Sequence, residues 1–221
     1  MTDVTIAAQV DEMKKSAPAE PDTPMAAFPR EQAVLAQAAP LEGVAAVGTR
    51  FPDAELLDVD GTSRSLSGVV GEGPSVLVLY RGAWCPYCNI ALRTYQRVLL
   101  PALRERGVEL IAISPQKPDG SLTMQEKHGL EYAVLSDPGL VLARAAGVVT
   151  EPGEEGLAAQ LELGLDLREV NADATAALPM PTVAIFDGGL TLRWIDVHRD
   201  YSTRTEPDEV LAALDAFGEP T

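Results

Sequence analysis

The sequence predicts an α/β fold in which a central sheet is covered by helices on both faces, with a helical arm in front, and three observations carry that prediction. Two near-continuous apolar runs, Ser75 to Tyr80 and Val108 to Ser114, are rich in Val, Ile and Leu, as strands buried on both faces are. Between them Cys88, Leu92, Tyr95 and Leu99 recur at spacings of three and four, the period of one helix face, and Gly107 marks the end of that helix. Two further pairs of short extended runs flank Asp-Gly turns, which supply the positive φ angles of tight hairpins.

Residues 1 to 45 form the arm. They are rich in Ala and Pro, and Pro18, Pro21, Pro24 and Pro29 divide them into short pieces. Ile6, Val10 and Met13 fall at helical spacing, and Arg30 to Ala39 reads as a second short helix. Helices of this length do not persist alone in water, so they are expected to dock on their own domain or across a homodimer, the alternative reading of the arm being a frayed terminus. Residues 46 to 221 form the domain. Glu55 to Val59 and Ser63 to Leu66 make the first hairpin around Asp60-Gly61, and the strand, helix, strand unit follows. Next come a helix over Ser121 to His128, a strand over Tyr132 to Leu135 and a helix from Gly139 to Ala146, which Gly147 stops. Thr150 to Leu178 reads as an acidic, irregular insertion with a helix near Glu154 to Leu163. Thr182 to Phe186 and Thr191 to Ile195 form the second hairpin, and Glu206 to Phe217 is a closing helix with Pro207 in its first turn.

Charge narrows the function. A formal net charge of −16 over 221 residues disfavours nucleic acid and anionic membrane surfaces as partners, because both would repel the chain before specific contacts formed. The start, Met1-Thr2-Asp3-Val4, lacks the basic residues of a secretory signal, and no apolar stretch reaches the ~18 residues of a membrane span. A cytoplasmic location is the expectation. The 2 cysteines, three positions apart, cannot staple distant segments, and the only histidines, His128 and His198, lie far from them in sequence, so no zinc site and no other cofactor is expected.

A cysteine pair at a strand-to-helix junction is well placed for redox chemistry. Free N–H groups and the helix dipole put partial positive charge at a helix N-terminus and bias a thiol there toward its nucleophilic thiolate. At an ordinary pKa near 8.5 only about 3% of a thiol is ionised at pH 7, and lowering it to ~6.5 raises that to roughly three quarters. Two sulfurs three residues apart in a first helical turn can also close a disulfide, so one can attack and the other resolve. Buried cysteines are otherwise small hydrophobes, which is the alternative reading of such a pair.

The run Val76 to Cys88, ending Arg81-Gly82-Ala83-Trp84-Cys85-Pro86-Tyr87-Cys88, resembles the active-site segment of thioredoxin-fold proteins, and Cys-Pro-Tyr-Cys is the form seen in glutaredoxins. From Gly48 to Phe217 the chain resembles the peroxiredoxin-like branch of the alkyl hydroperoxide reductase and thiol-specific antioxidant family. Ala112 to Gln116, Leu135-Ser136-Asp137, Leu178 to Thr182, and Asp200-Tyr201 with Arg204, Glu206 and Pro207 carry that likeness. The resemblance implies a thioredoxin-like fold and a thiol-dependent antioxidant oxidoreductase with Cys85 and Cys88 catalytic. Arg81, Trp84, Pro181 and Thr182 are implied as substrate-binding residues. Two departures stand out. Cys85 occupies the position of the peroxiredoxin Thr, and Pro181 falls where peroxiredoxins place an Arg that polarises the peroxide, so no Arg stands there. Met180-Pro181-Thr182 instead resembles the cis-proline element of thioredoxins, and Arg81 is the candidate for the displaced charge, with an ordinary surface ion pair as its alternative reading.

Three functions are compatible with this reading. A thiol peroxidase would reduce hydrogen peroxide or organic hydroperoxides and then need an external dithiol, such as a thioredoxin-like protein or a low-molecular-weight thiol. A thiol-disulfide oxidoreductase would cycle the same pair against protein or small-molecule disulfides. A non-enzymatic redox-responsive binding module is the third. Alignment with peroxiredoxins makes Cys88 the attacking sulfur, and alignment with thioredoxins makes it Cys85. Because Cys88 shares a face with Leu92, Tyr95 and Leu99, it is expected to point into the core, leaving Cys85 exposed and the preferred thiolate.

Overall fold

The computed structural model describes residues 5–39, 41–118 and 129–218. The helix expected over Ser121 to His128 lies outside the described residues. Strands β1 (Glu55–Leu57) and β2 (Ser63–Ser65) pair as the first hairpin, and the Asp58 carboxylate closes its turn by accepting from the Asp60 and Thr62 amides. After helix α3 (Leu66–Val70) come β3 (Ser75–Leu79), β4 (Glu109–Ser114) and β5 (Ala133–Ser136), which run parallel to one another. Strands β8 (Thr182–Phe186) and β9 (Leu192–Val197) add antiparallel beyond β3, so the main sheet runs β2-β1-β5-β4-β3-β8-β9.

The apolar runs are buried on both faces because alternate side chains serve two cores. Val76 and Val78 of β3, with Leu110 and Ala112 of β4, face one cluster, whereas Leu77, Leu79, Ile111 and Ile113 face the other. The first cluster also contains Cys85 and Cys88 and is covered by one long helical stretch. That stretch comprises α4 (Pro86–Thr94), a π-helical turn (Tyr95–Leu99) and α5 (Leu100–Glu105). The wide turn precedes Pro101, which has no N–H for the Arg97 carbonyl and whose ring would crowd it in a regular helix. The second cluster is covered by α3 and by α6 (Val141–Ala146). Helix α6 starts two residues later than expected because Leu140 is left-handed, at φ 55°, and the Asp137 carboxylate accepts from the Val141 and Leu142 amides.

The insertion holds the helix expected near Glu154 to Leu163, and more of it is ordered than its irregular composition suggests. Strands β6 (Val149–Thr150) and β7 (Leu178–Pro179) pair antiparallel, and between them lie α7 (Glu154–Glu162) and α8 (Leu167–Val170). Leu167, Ala176 and Leu178 bury themselves in a small separate cluster, which is the apolar content that the acidic composition masked.

Helix α1 (Ile6–Ser16) presents Ile6 and Val10, 1% and 3% exposed, to the cluster that holds the cysteines. Its free N-terminal amides at Ile6 and Ala7 donate to the Glu206 carboxylate at 2.9 and 2.8 Å. Helix α2 (Ala27–Ala36) starts three residues before the expected Arg30, since Pro29 sits in its first turn, where a missing N–H costs nothing. From α2, Gln32 donates to the Tyr87 hydroxyl at 2.9 Å, and Glu31 accepts from the Tyr201 hydroxyl and the Gly153 amide at 2.8 Å each. Helix α9 (Pro207–Gly218) follows Glu206. No helix among the described residues is long and apolar enough to cross a membrane.

Candidate active site

The chain leaves β3 through Tyr80, whose N–H donates to the Ile113 carbonyl, and turns at Gly82 into the cysteine segment. A Cβ on Gly82 would collide with the Trp84 indole, so only glycine lets the ring fold back over the turn. Gln116 fixes the loop by accepting from the Ala83 N–H at 2.9 Å, and Asn89 donates to the Ala83 carbonyl at 3.1 Å. Cys85 is the N-cap of α4 and Pro86 its first residue, which places Cys88 in the first turn.

Both thiols are free, and both residues are 1% exposed. The expectation of an exposed Cys85 is therefore corrected: the cap position is as deeply buried as Cys88, and both belong to one apolar cluster. The two sulfurs are nonetheless unlike. Burial pushes the Cys85 thiol up, and its hydrogen bond and charge contact with Cys88 push it further. Burial also opposes ionisation of Cys88. The bond donated by Cys85, the Arg204 guanidinium, the Arg81 backbone N–H and the Arg81 charge outweigh that and hold Cys88 well below the ordinary thiol range.

Arg204 is the residue that motif reading missed as a site residue. Its Nη2 lies 3.1 Å from Cys88 Sγ and 3.9 Å from Cys85 Sγ, and its Nη1 donates to the Tyr201 and Thr203 carbonyls at 2.6 and 2.5 Å. The charge absent from position 181 is thus supplied from the loop before α9. A signal was available, since Arg204 belongs to one of the segments that carry the family likeness, but nothing in linear spacing links it to residues 85 and 88.

The other expected residues gather at the same end of the sheet. Pro181 and Thr182 line, with Cys88 and Arg204, a cavity of about 10 Å³, room for one water-sized group. The Thr182 hydroxyl donates to the Met180 carbonyl at 2.9 Å. The Met180–Pro181 bond, expected to be cis, is trans: there are no cis peptide bonds among the described residues. Arg81 is 6% exposed, not on the surface, and its guanidinium stands 4.0 Å from the Tyr201 ring centroid and 5.0 Å from that of Trp84. Arg81 and Pro181 also line a second cavity of about 210 Å³, bounded by Glu31 and Leu35 of α2, by Met180 and by Arg199. His198 lines the small cavity as well, its Nε2 2.9 Å from Asp196 Oδ2.

Comparison with known proteins places this geometry. Among solved structures the chain is similar to the peroxidoxin BcpB of Mycobacterium tuberculosis, with a TM-score of 0.58 and 23% identity over 78% of this chain and 98% of that one. It is likewise similar to reduced Prx3 of Vibrio vulnificus, with a TM-score of 0.61 and 20% identity over 77% of this chain and 99% of that one. At these identities the likeness is one of fold, the thioredoxin-like fold expected from the sequence. In sequence it is similar to the thiol-disulfide oxidoreductase ResA of Geobacillus kaustophilus, 32% identical over 93 residues, which cover 42% of this chain and 52% of that protein. A Mycobacterium tuberculosis protein described as a peroxiredoxin, MT2597, is 30% identical over 104 residues, 47% of this chain and 65% of that protein. The chain spans about half the length of the ResA proteins that it matches. The family model that matches runs over residues 47–195 and so takes in the sheet from β1 nearly to the end of β9 together with both cysteines; the chain belongs to the AhpC/TSA family.

Proposed function

We propose that this protein is a thiol-dependent peroxidase in which Cys88 attacks and Cys85 resolves. One observation carries the reading: the Cys88 sulfur sits 3.1 Å from a buried guanidinium, beside a cavity that admits a water-sized group. The Cys88 thiolate attacks the terminal peroxide oxygen, so an S–O bond forms, the O–O bond breaks, and the departing oxyanion takes a proton to leave as water or alcohol. Arg204 holds the thiolate and then faces the oxygen on which charge develops. Cys88 is left as a sulfenic acid, and its negative charge is gone. Two of the causes that held the Cys85 proton go with it, while Arg204 and Arg81 remain. Cys85 then attacks Cys88, closes the disulfide, and expels the sulfenic oxygen as water. An external dithiol, from a thioredoxin-like protein or a small thiol, restores both cysteines and is itself oxidised to a disulfide.

The assignment reverses the preference for Cys85 that exposure alone suggested. A second reading, disulfide exchange, is favoured by the Cys-Pro-Tyr-Cys spacing and by the ResA relatives. Stopped-flow oxidation of the reduced protein by hydrogen peroxide, set against insulin-disulfide reduction by the same preparation, separates them. Rapid oxidation with negligible insulin reduction supports the peroxidase, and the opposite pattern overturns it.

A further inference from the structure

We propose that the larger cavity is a binding site for an organic carboxylate with a short apolar body. Arg81 is the first reason. It is 94% buried, by its 6% exposure, and its charge is felt by the cysteine sulfurs, yet among the described residues its guanidinium makes no hydrogen bond and no ion pair and is in contact with the rings of Tyr201 and Trp84. Burying a guanidinium without an acceptor is costly, and an anion in the cavity that Arg81 lines would relieve the cost. Arg199 is the second reason. It lines the same cavity, is half-buried, and also lacks a hydrogen-bond or ion-pair partner among the described residues. A chain of net charge −16 has thus left two cations unpaired around one space.

The carboxylates on the wall do not fill that role. Glu31 accepts from the Tyr201 hydroxyl and the Gly153 amide, and Glu151 is exposed at the rim. The remaining wall selects the anion. Leu35, Leu178, Pro179, Met180 and Pro181 offer apolar surface, which suits a hydrocarbon body and not a free phosphate. A planar guanidinium matches a carboxylate in a bidentate pair. Pro181 lines both this cavity and the small one at Cys88, so a ligand held here rests against a residue that also bounds the space beside the sulfur. For a peroxidase, the substrate class that follows is the carboxylate-bearing organic hydroperoxide. That role rests on the proposed function, whereas the binding site itself does not.

Calorimetric titration of the reduced full chain with hexanoate, 1-hexanol and inorganic phosphate tests the site directly. Hexanoate is expected to bind at least about tenfold more tightly than either control, and Arg81→Gln and Arg199→Gln are each expected to lose about tenfold. Arg199 is only half-buried, so its variant keeps the test available if Arg81→Gln fails to fold. Kinetics test the role: a short fatty-acid hydroperoxide is expected to oxidise the pair about tenfold faster than its methyl ester, and Arg199→Gln to bring that ratio near one. Hexanoate that does not bind, or binds no better than hexanol or phosphate, overturns the site. Tight hexanoate binding by a protein that no peroxide oxidises keeps the site and removes the peroxidase reading.

Discussion

The two cavities that meet at Pro181 use arginine in opposite ways. At the small one Arg204 is held by two backbone carbonyls and directed at Cys88 Sγ. At the large one Arg81 is buried among rings with no hydrogen-bond acceptor among the described residues. A cation fixed in place before substrate arrives stabilises charge without reorganising, whereas a cation left without an acceptor is a place for a ligand to supply one. The difference separates a place built for a reaction from a place built for recognition, within one stretch of sheet end.

The sharpest way to break this contrast is to remove each sulfur. Cys88→Ser is expected to lose peroxide-driven oxidation by on the order of 10⁴-fold or more, read by stopped-flow fluorescence. Cys85→Ser is expected to retain the first step and to accumulate a sulfenic acid that dimedone traps in mass spectrometry. Fast sulfenic acid formation in Cys88→Ser would hand the attack to Cys85. Next in size is Arg204→Gln, expected to slow oxidation by about 10²–10³-fold and to move the 240 nm thiolate titration upward. Acid should sharpen the picture further. Because Cys88 is held below the ordinary thiol range, the oxidation rate is expected to reach its plateau at a lower pH than that of an ordinary thiol. It should fall about tenfold per pH unit only below the lowered value, as the thiolate takes up its proton. A rate still rising through pH 8 to 9 would mean an ordinary thiol. The smallest effects are on stability: Glu31→Ala is expected to cost about 2 kcal/mol and Thr182→Val about 1 kcal/mol in urea unfolding.

How far this arrangement was legible in the sequence depended on the range of the contacts. The strand, helix, strand unit could be read because Val76 to Leu79 and Leu110 to Ile113 satisfy two cores by simple alternation, and periodicity is a local signal. The cysteine pair announced itself through spacing. The burial of Cys85 could not be read, since the cluster that it joins draws on residues far away in the chain, from Ile6 to Leu214. Arg204 was hidden for the same reason: it reaches Cys88 across a separation of 116 residues. Arg81 was noticed but not placed, because burial between Trp84 and Tyr201 depends on a ring contributed from position 201. Proline misled twice in opposite directions. Pro29 suggests a break though it lies in the first turn of α2, and Pro181 suggests a cis bond only through resemblance, whereas the bond is trans.

The bonds from Ile6 and Ala7 to Glu206 span about 200 residues, and this has a consequence for biosynthesis. A ribosome releases α1 well before Glu206, so until that carboxylate emerges the first amides of α1 lack their acceptor even though much of the cluster under Ile6 and Val10 has already been made. The end of α1 is then pinned by a contact that forms late, and hydrogen exchange should register Ile6 to Val10 as less protected than the strands beneath.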